Sequence, residues 1–390
     1  MTSKAVDVAI IGAGVTGAAV AFWLTKCGVR RIALIERDPT LRTASTSLSA
    51  ASIRQQFGTA INIRISQFSL SVIRNFGDWI GEPEIDLGLR EHGYLICAPT
   101  GRGNALSATV ALQRAEGAET MLLSPDEIAD RFPYVRVDDL AGASWGASGE
   151  GWFDGIGLRD GFMRAARRAG AELVAGEVAG LETEGGRVTA VTLSDGARLA
   201  CGAAVNAAGA PAAAIARMAG IDLPVEPRKR HVFVISCAEP IPAPMPLVTD
   251  ATGVWVRPEG HRFLCGAASD PDRPAAPDDF ETDHARFEGF VWPALAARIP
   301  QFERVRVEAF WTGHYAWNRL DQNAIIGPHP DCENLFFANG FSGHGLQQAP
   351  AVGRGIAEWI TEGRPISLDL TPLGWHRVLE DRPLVENAVI

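Results

Sequence analysis

Asp7-Val8-Ala9-Ile10-Ile11-Gly12-Ala13-Gly14-Val15-Thr16-Gly17, followed by Arg31-Ile32-Ala33-Leu34-Ile35-Glu36-Arg37, decides the fold of this chain. An apolar run ends in a Gly-x-Gly-x-x-Gly turn, a helix-length segment follows, and a second apolar run ends in an acid. The pattern predicts a βαβ unit that binds an adenine dinucleotide. Gly12 permits the tight turn, Gly14 lets the main chain approach a pyrophosphate, and Gly17 lets helix and strand pack closely. Val15 and Thr16 open the helix, where unpaired N–H groups and the positive dipole end attract phosphate oxygens. Glu36 stands where a carboxylate accepts hydrogen bonds from a ribose diol. The glycine pattern alone is a weak signal. Its weight comes from the two strands, the helix and the acid around it.

Bulk properties bound the rest. A chain of 390 residues, 47% hydrophobic and 21% charged, predicts an ordinary globular protein of about two domains. No run approaches the ~20 apolar residues a membrane span needs. A net charge of −10 argues against nucleic acid as a partner. The six cysteines (Cys27, Cys97, Cys201, Cys237, Cys265, Cys332) are scattered without metal-ligand spacing. With the first strand starting a few residues after Met1, the expectation is a cytoplasmic protein with reduced thiols and no metal. Lysine is rare: Lys4, Lys26 and Lys229 are the only ones.

Outward from the first unit, Leu41–Gly58 is small and polar, suited to a loop that passes a ligand and then enters a helix. Ile61, Ile65, Phe68, Val72, Phe76 and Ile80 recur at helical spacing, predicting one helix over 61–80. Ser124-Pro125-Asp126-Glu127 is a capped helix start. Strands are predicted at 171–178, 187–193 and 203–210, the last leading into a helix from Pro211. The stretch from Pro224 to about Arg319 reads as an antiparallel sheet. Asn334–Gly340 is a strand leading through Phe341–Leu346 to a helix over 351–360. Three Gly/Ala-rich junctions (10–17, 205–211, 338–346) predict one nucleotide site assembled from distant segments. The expected fold class is therefore α/β (α+β overall). A Rossmann-like nucleotide-binding domain, discontinuous in sequence (1–85, 145–220 and 322–390), joins a substrate domain on a large, mostly antiparallel sheet (86–144 and 221–321).

Ile10–Gly17, Glu36-Arg37, Val205-Asn206-Ala207-Ala208-Gly209 and Ala338-Asn339-Gly340-Phe341-Ser342-Gly343-His344-Gly345 together resemble the D-amino-acid oxidase/sarcosine oxidase superfamily of FAD enzymes, which includes glycine oxidase. The resemblance implies FAD rather than a nicotinamide cofactor. It implies that Gly12, Gly14 and Gly17 hold the pyrophosphate, Glu36 the ribose, and that Arg37 and the Val178 main chain lie along the adenine. Ser45, Thr46 and Ser49 would border the flavin or its phosphates, as would Ala208, Gly209 and Gly340. Gly343, His344, Gly345, Leu346 and Gln347 would put N–H groups near the pyrimidine end of the ring. In sarcosine oxidase-like members a Cys-x-Tyr carries covalently attached flavin, where this chain has Gly313-His314-Tyr315. Others use a His where it has Leu48-Ser49. Non-covalent FAD is expected, with His314 the alternative attachment point.

The same resemblance implies an amine or amino acid as substrate, and oxygen or a redox partner as electron acceptor. Arg54, in Ile53-Arg54-Gln55-Gln56-Phe57, matches the substrate-carboxylate arginine; a phosphate or structural partner is its other reading. Gln347 stands where those enzymes have a lysine. Arg262-Phe263-Leu264 lacks the oxygen-activating lysine, which favours a dehydrogenase over an oxidase, although Arg257 or a histidine could substitute. His261, His314 and His344 are candidates for proton handling, with His344 first a cofactor contact and an exposed residue of the Pro258-Glu259-Gly260 turn the other reading of His261. Trp255, Trp311, Tyr315 and Trp317 could form an aromatic box around a substrate, or simply fill a sheet core. The Ser45–Phe57 and Gly340–Gly353 segments also resemble a mitochondrial branch linked to respiratory complex I assembly, implying the alternative of a flavoprotein component without an amine substrate.

Overall fold

The strand Lys4–Ile11 sends Val8 and Ile10 to one buried face and Ala9 and Ile11 to the other. A run apolar on both faces is what a central parallel strand requires. Its neighbours are parallel: Ile10 pairs with Leu34 of Ile32–Glu36 on one side and with Val205 of Arg198–Asn206 on the other. The computed structural model describes residues 4–386; residues 1–3 and 387–390 of the expected 1–85 and 322–390 segments lie outside them. Strands Glu172–Ala175 and Cys332–Asn339 extend the parallel sheet, and Ile325–His329 closes it antiparallel. Strands Val178–Glu184 and Arg187–Leu193 branch from Arg198–Asn206 as an antiparallel extension.

The helix Val15–Lys26 is buried on nearly every side from Val15 to Leu24. It packs between the helices Gly155–Arg168 and Gly345–Glu362, with Phe22 against Phe162 at 5.0 Å between ring centres. Close packing fixes two glycines. A Cβ at Gly17 would fall 1.9 Å from the Gly12 carbonyl oxygen, and one at Gly353 would fall 2.7 Å from the Ala19 Cβ.

The second sheet has eight strands, ordered Val305–Asn318, Val225–Cys237, Arg262–Ala268, Trp255–Glu259, Leu247–Thr249, Tyr94–Pro99, Leu140–Gly146 and Thr120–Leu123. Only the pairing of Leu247–Thr249 with Tyr94–Pro99 is parallel. This is the fold class read from the sequence: a Rossmann-like parallel sheet beside a large, mostly antiparallel one. A buried carboxylate ties the long strand to the end of the chain. Asp321 accepts from Arg377 Nε at 2.7 Å, from the Leu384 main-chain N–H at 3.0 Å and from Asn318 Nδ2 at 2.9 Å.

Several local expectations are corrected. The 61–80 helix breaks at Asn75 into Ala60–Arg74 and Phe76–Ile80, although its apolar period runs straight through. The 171–178 strand ends at Ala175, and Val178 begins a separate strand. The 41–58 segment does not run directly into a helix: Ser52–Ile53 pairs with Gly151–Trp152, and helix starts only at Ala60. The tail helix begins at Gly345, six residues early, and carries Pro350 inside it.

Candidate active site

One large cavity, about 1930 Å³ of empty space with its open mouth included, is lined from both sheets. At its first end lie Gly12, Gly14, Val15, Thr16, Glu36 and Arg37. Gly12 takes φ +100°, and a Cβ there would meet the Ala207 carbonyl oxygen at 2.5 Å. A Cβ at Gly14 would meet only the Thr46 hydroxyl, at 3.4 Å, so this glycine faces free space. The helix start is pre-organised: the Val15 N–H donates to Thr46 Oγ1 at 3.0 Å, and the Ala13 N–H donates to Glu36 Oε2 at 2.9 Å. Glu36 Oε1 accepts the Asp38 N–H at 3.0 Å, fixing the carboxylate at the end of its strand.

The middle of the cavity is walled by Ser45, Thr46 and Ser49, by Ala208 and Gly209, and by Gly313. The Ser45 hydroxyl donates to the His314 carbonyl at 2.8 Å, joining the loop to the second sheet. His314 itself is fastened outward, with Nε2 2.7 Å from the Asp279 carbonyl and its ring stacked on Phe280. Gly343, His344, Gly345, Leu346 and Gln347 form the turn into the tail helix and line the wall beside Arg54.

Arg54 is the electrostatic centre of this wall. Its side chain is buried, lies 4.2 Å over the Phe57 ring, and donates to the Gln56 carbonyl. Its Nη2 lies 3.0 Å from His344 Nε2. A guanidinium can only donate, so Nε2 accepts and the imidazole proton sits on Nδ1. Burial and the Arg54 charge hold His344 well below the usual histidine range, leaving it neutral. Gln347 Oε1 accepts the Arg54 main-chain N–H at 2.8 Å. Both tail-loop candidates thus hold Arg54 in place.

Behind Arg54 stands an acid that sequence reading missed. Glu150 Oε1 accepts the Gln55 and Gln56 main-chain N–H groups at 2.7 and 3.1 Å, and Oε2 accepts Gln56 Nε2 at 2.7 Å. Burial pushes its carboxyl up to about 7, while those hydrogen bonds and Arg54 pull the other way. Its one sequence mark is a lone acid in Gly149-Glu150-Gly151, too common to single out. Arg230, on the strand Val225–Cys237, was missed as well: it lines the cavity and lies 4.6 Å over the Tyr315 ring. Tyr94 also faces the cavity, its phenol pushed up to about 12 by burial.

Four expected site residues are not on the cavity wall, and each has a physical reason. His261 is exposed in the turn joining Trp255–Glu259 to Arg262–Ala268, and is corrected to a surface residue. Val178 is buried against the outer face of the parallel sheet and pairs with Leu193. Gly17 is spent on packing against Gly12. Gly340 makes a turn at φ +71° against Val225 and Asn318. Of the expected aromatic box only Trp255 and Tyr315 line the cavity; Trp311 donates to the Leu48 carbonyl at 2.9 Å, and Trp317 lies beside Arg228 and Arg230.

A dinucleotide-shaped cradle opening onto a buried arginine under an antiparallel sheet defines a flavin-dependent oxidoreductase. The chain belongs to the FAD dependent oxidoreductase family, whose pattern matches residues 7–359. FAD-dependent oxidoreductase domain-containing protein 1 of Bos taurus is 36% identical, covering 98% of this chain and 87% of the relative. Glycine oxidase of Geobacillus kaustophilus is 28% identical, covering 95% of this chain and 97% of the relative. The crystal structure of L-proline dehydrogenase from P. horikoshii superposes with a TM-score of 0.85 at 26% identity, covering 97% of this chain and 99% of that one. FAD is the cofactor. The cradle fits it: Gly14 leaves room for a phosphate at the helix start, and Glu36 is already oriented at the far end. Among the described residues no helix is long and apolar enough to cross a membrane.

Proposed function

We propose that this chain oxidises the C–N bond of a small amine bearing a carboxylate, such as an N-alkyl glycine or an imino acid. The product imine is then hydrolysed by water to a carbonyl compound and an amine. The observation that carries this reading is Arg54, whose guanidinium is buried at the cavity wall against the Gln56 carbonyl and His344, with its main-chain N–H held by Gln347. A bidentate arginine in a dry pocket is suited to fixing a carboxylate, and fixing it sets the position of the adjacent C–H. The names of the relatives, glycine oxidase and L-proline dehydrogenase, agree with such a substrate.

In this reading Gly12, Gly14, Val15 and Thr16 hold the pyrophosphate, Glu36 the ribose, and Arg37 the adenine side. Ser45, Thr46, Ser49, Ala208, Gly209, Gly313 and residues 343–347 hold the remainder, without a covalent bond. Bound FAD supplies the acceptor for the hydride equivalent leaving the substrate carbon. The chain binds and orients the carboxylate through Arg54, keeps that guanidinium in place with neutral His344 and its main chain with Gln347, and walls out water with Tyr94, Trp255 and Tyr315. We assign residues 1–85, 145–220 and 322–390 to a cofactor domain and residues 86–144 and 221–321 to a substrate domain.

A dehydrogenase is preferred to an oxidase. No lysine lines the cavity among the described residues, and Lys229 is paired with Asp279 at 2.8 Å. Arg257, the substitute cation, is spent on the Ala50 carbonyl at 2.7 Å and on Glu259. Electrons would then pass to a redox partner rather than to oxygen. The six unpaired thiols support a cytoplasmic location. The test is anaerobic addition of sarcosine, glycine or L-proline to the yellow holoprotein. Loss of the flavin absorption band with one of them is expected. No loss with any small amine-carboxylate refutes the reading and favours a flavoprotein component without an amine substrate.

A further inference from the structure

The cavity carries its charges unevenly. Among the described residues its lining carboxylates are Glu36 and Asp38, both at the end of the strand Ile32–Glu36. The opposite part of the wall presents two guanidiniums, Arg54 and Arg230, and no acid. The imidazoles there, His231, His314 and His344, are held below the usual histidine range by burial, so the two arginines carry the charge.

Arg230 is only half used. Nη1 donates to Asp272 Oδ1 at 3.0 Å and to the Lys229 carbonyl at 2.8 Å, and Nη2 donates to Asp272 Oδ2 at 3.0 Å. This engages one edge of the planar fork. The other edge, Nε–H with the second Nη2 proton, is left over, and Nε is buried without an acceptor. Leaving a buried donor of a charged group unpaired is destabilising, a cost that a bound ligand removes. The Arg230 guanidinium lies over the Tyr315 ring, and the Tyr315 hydroxyl is within electrostatic reach of both Arg230 and Arg54. Tyr315 is therefore a common neighbour of the two cations.

We propose that the Nε/Nη2 edge of Arg230 is a second carboxylate subsite, and that the substrate is an amine bearing two carboxylates, one on Arg54 and one on Arg230 beside Tyr315. An N-(carboxyalkyl) amino acid has this chemistry. The proposal rests on the preceding reading in one respect, that Arg54 takes the first carboxylate. Arginine has five donors, so Arg230 can keep Asp272 on one edge while a ligand takes the other. The leftover edge then gains a charge-assisted pair in a site with little water, where such bonds are strongest.

The test uses ligands that cannot be oxidised at nitrogen: thiodiacetate and (methylthio)acetate, in which sulfur replaces the amine. Each is titrated into the holoprotein, and binding is read from the perturbed flavin spectrum. Thiodiacetate is expected to bind at least about tenfold more tightly, in line with one added charge-assisted bond. Arg230→Gln should weaken thiodiacetate about tenfold more than (methylthio)acetate, and Arg230→Lys should keep part of the preference. Equal affinities in the native chain, an equal loss of both in Arg230→Gln, or no binding of either overturns the subsite. Because neither ligand is oxidised, failure of the amine-oxidation test leaves this result standing. Conversely, oxidation of sarcosine or L-proline alongside equal affinities removes the second subsite alone.

Discussion

Glu150→Gln isolates the charge that stands behind Arg54. The folded chain moves this carboxyl from an ordinary 4.5 up to about 7 because it is buried. Folded Glu150 therefore holds its proton more tightly than unfolded Glu150. The resulting stability is fully present below about pH 4.5 and is lost as the pH rises through about 7. A shift of this size is worth ~3 kcal/mol at 1.36 kcal/mol per pH unit, most of it falling between pH 5 and 8. At about 2.1 cal/mol/K of unfolding entropy per residue, a chain this long loses roughly 3–4 °C in Tm over that range from this group. Glutamine copies the neutral acid. It keeps an acceptor for the Gln55 and Gln56 N–H groups, and its amide can meet Gln56 Oε1, which is buried without a partner. Any local repacking cost is constant with pH, so the slope reports the charge. Thermal unfolding of both holoproteins from pH 5 to 8, at one scan rate, is the assay. The native chain should lose roughly 3–4 °C more than the variant. Parallel pH curves would refute the claim that Glu150 is neutral in the acid-stable folded chain.

Gly14→Ala and Gly17→Ala should separate binding from folding. The Gly14 Cβ meets only a hydroxyl at 3.4 Å, so that variant should fold and lose FAD affinity by tenfold or more in a flavin titration. The Gly17 Cβ would fall 1.9 Å from a carbonyl oxygen, so that variant should fail to give soluble folded protein by circular dichroism. Arg54→Gln should reduce kcat/KM for a carboxylate-bearing amine by about 10–10², the value of a buried charge-assisted pair, while flavin content is retained. An equal rate for an amine without a carboxylate in both proteins would support the assignment, and an unchanged KM for the carboxylate substrate would end it. Asp321→Asn leaves Arg377 buried without its countercharge and should destabilise the chain by about 3–5 kcal/mol in urea unfolding.

The cofactor end was legible because its physics is local. Gly12, Gly14, Gly17 and Glu36 lie within one βαβ unit, where turn, helix start and acid follow at fixed spacing, and the tail turn at 340–346 announces itself the same way. The catalytic end was not. His261 was plausible as a proton carrier by residue type, yet its turn points to solvent. Trp311 and Trp317 belong to the right strand but not to the cavity wall. Glu150 and Arg230 passed unmarked because each acts on residues far away in sequence, Glu150 on Gln55 and Gln56 at separations of 95 and 94, Arg230 on Tyr315.

By itself, then, the sequence determined that an adenine dinucleotide sits against a parallel sheet, that a second sheet exists, and that Arg54 has the chemistry to hold a carboxylate. Those facts follow from periodicity, glycine placement and side-chain type. Only the tertiary structure decided what surrounds Arg54. It brought His344 to the guanidinium, Gln347 to the Arg54 main chain, Glu150 to brace the segment behind it, and Arg230 over the ring of Tyr315. Electrostatics depends on distance through space and on exclusion of water, and neither is written along the chain.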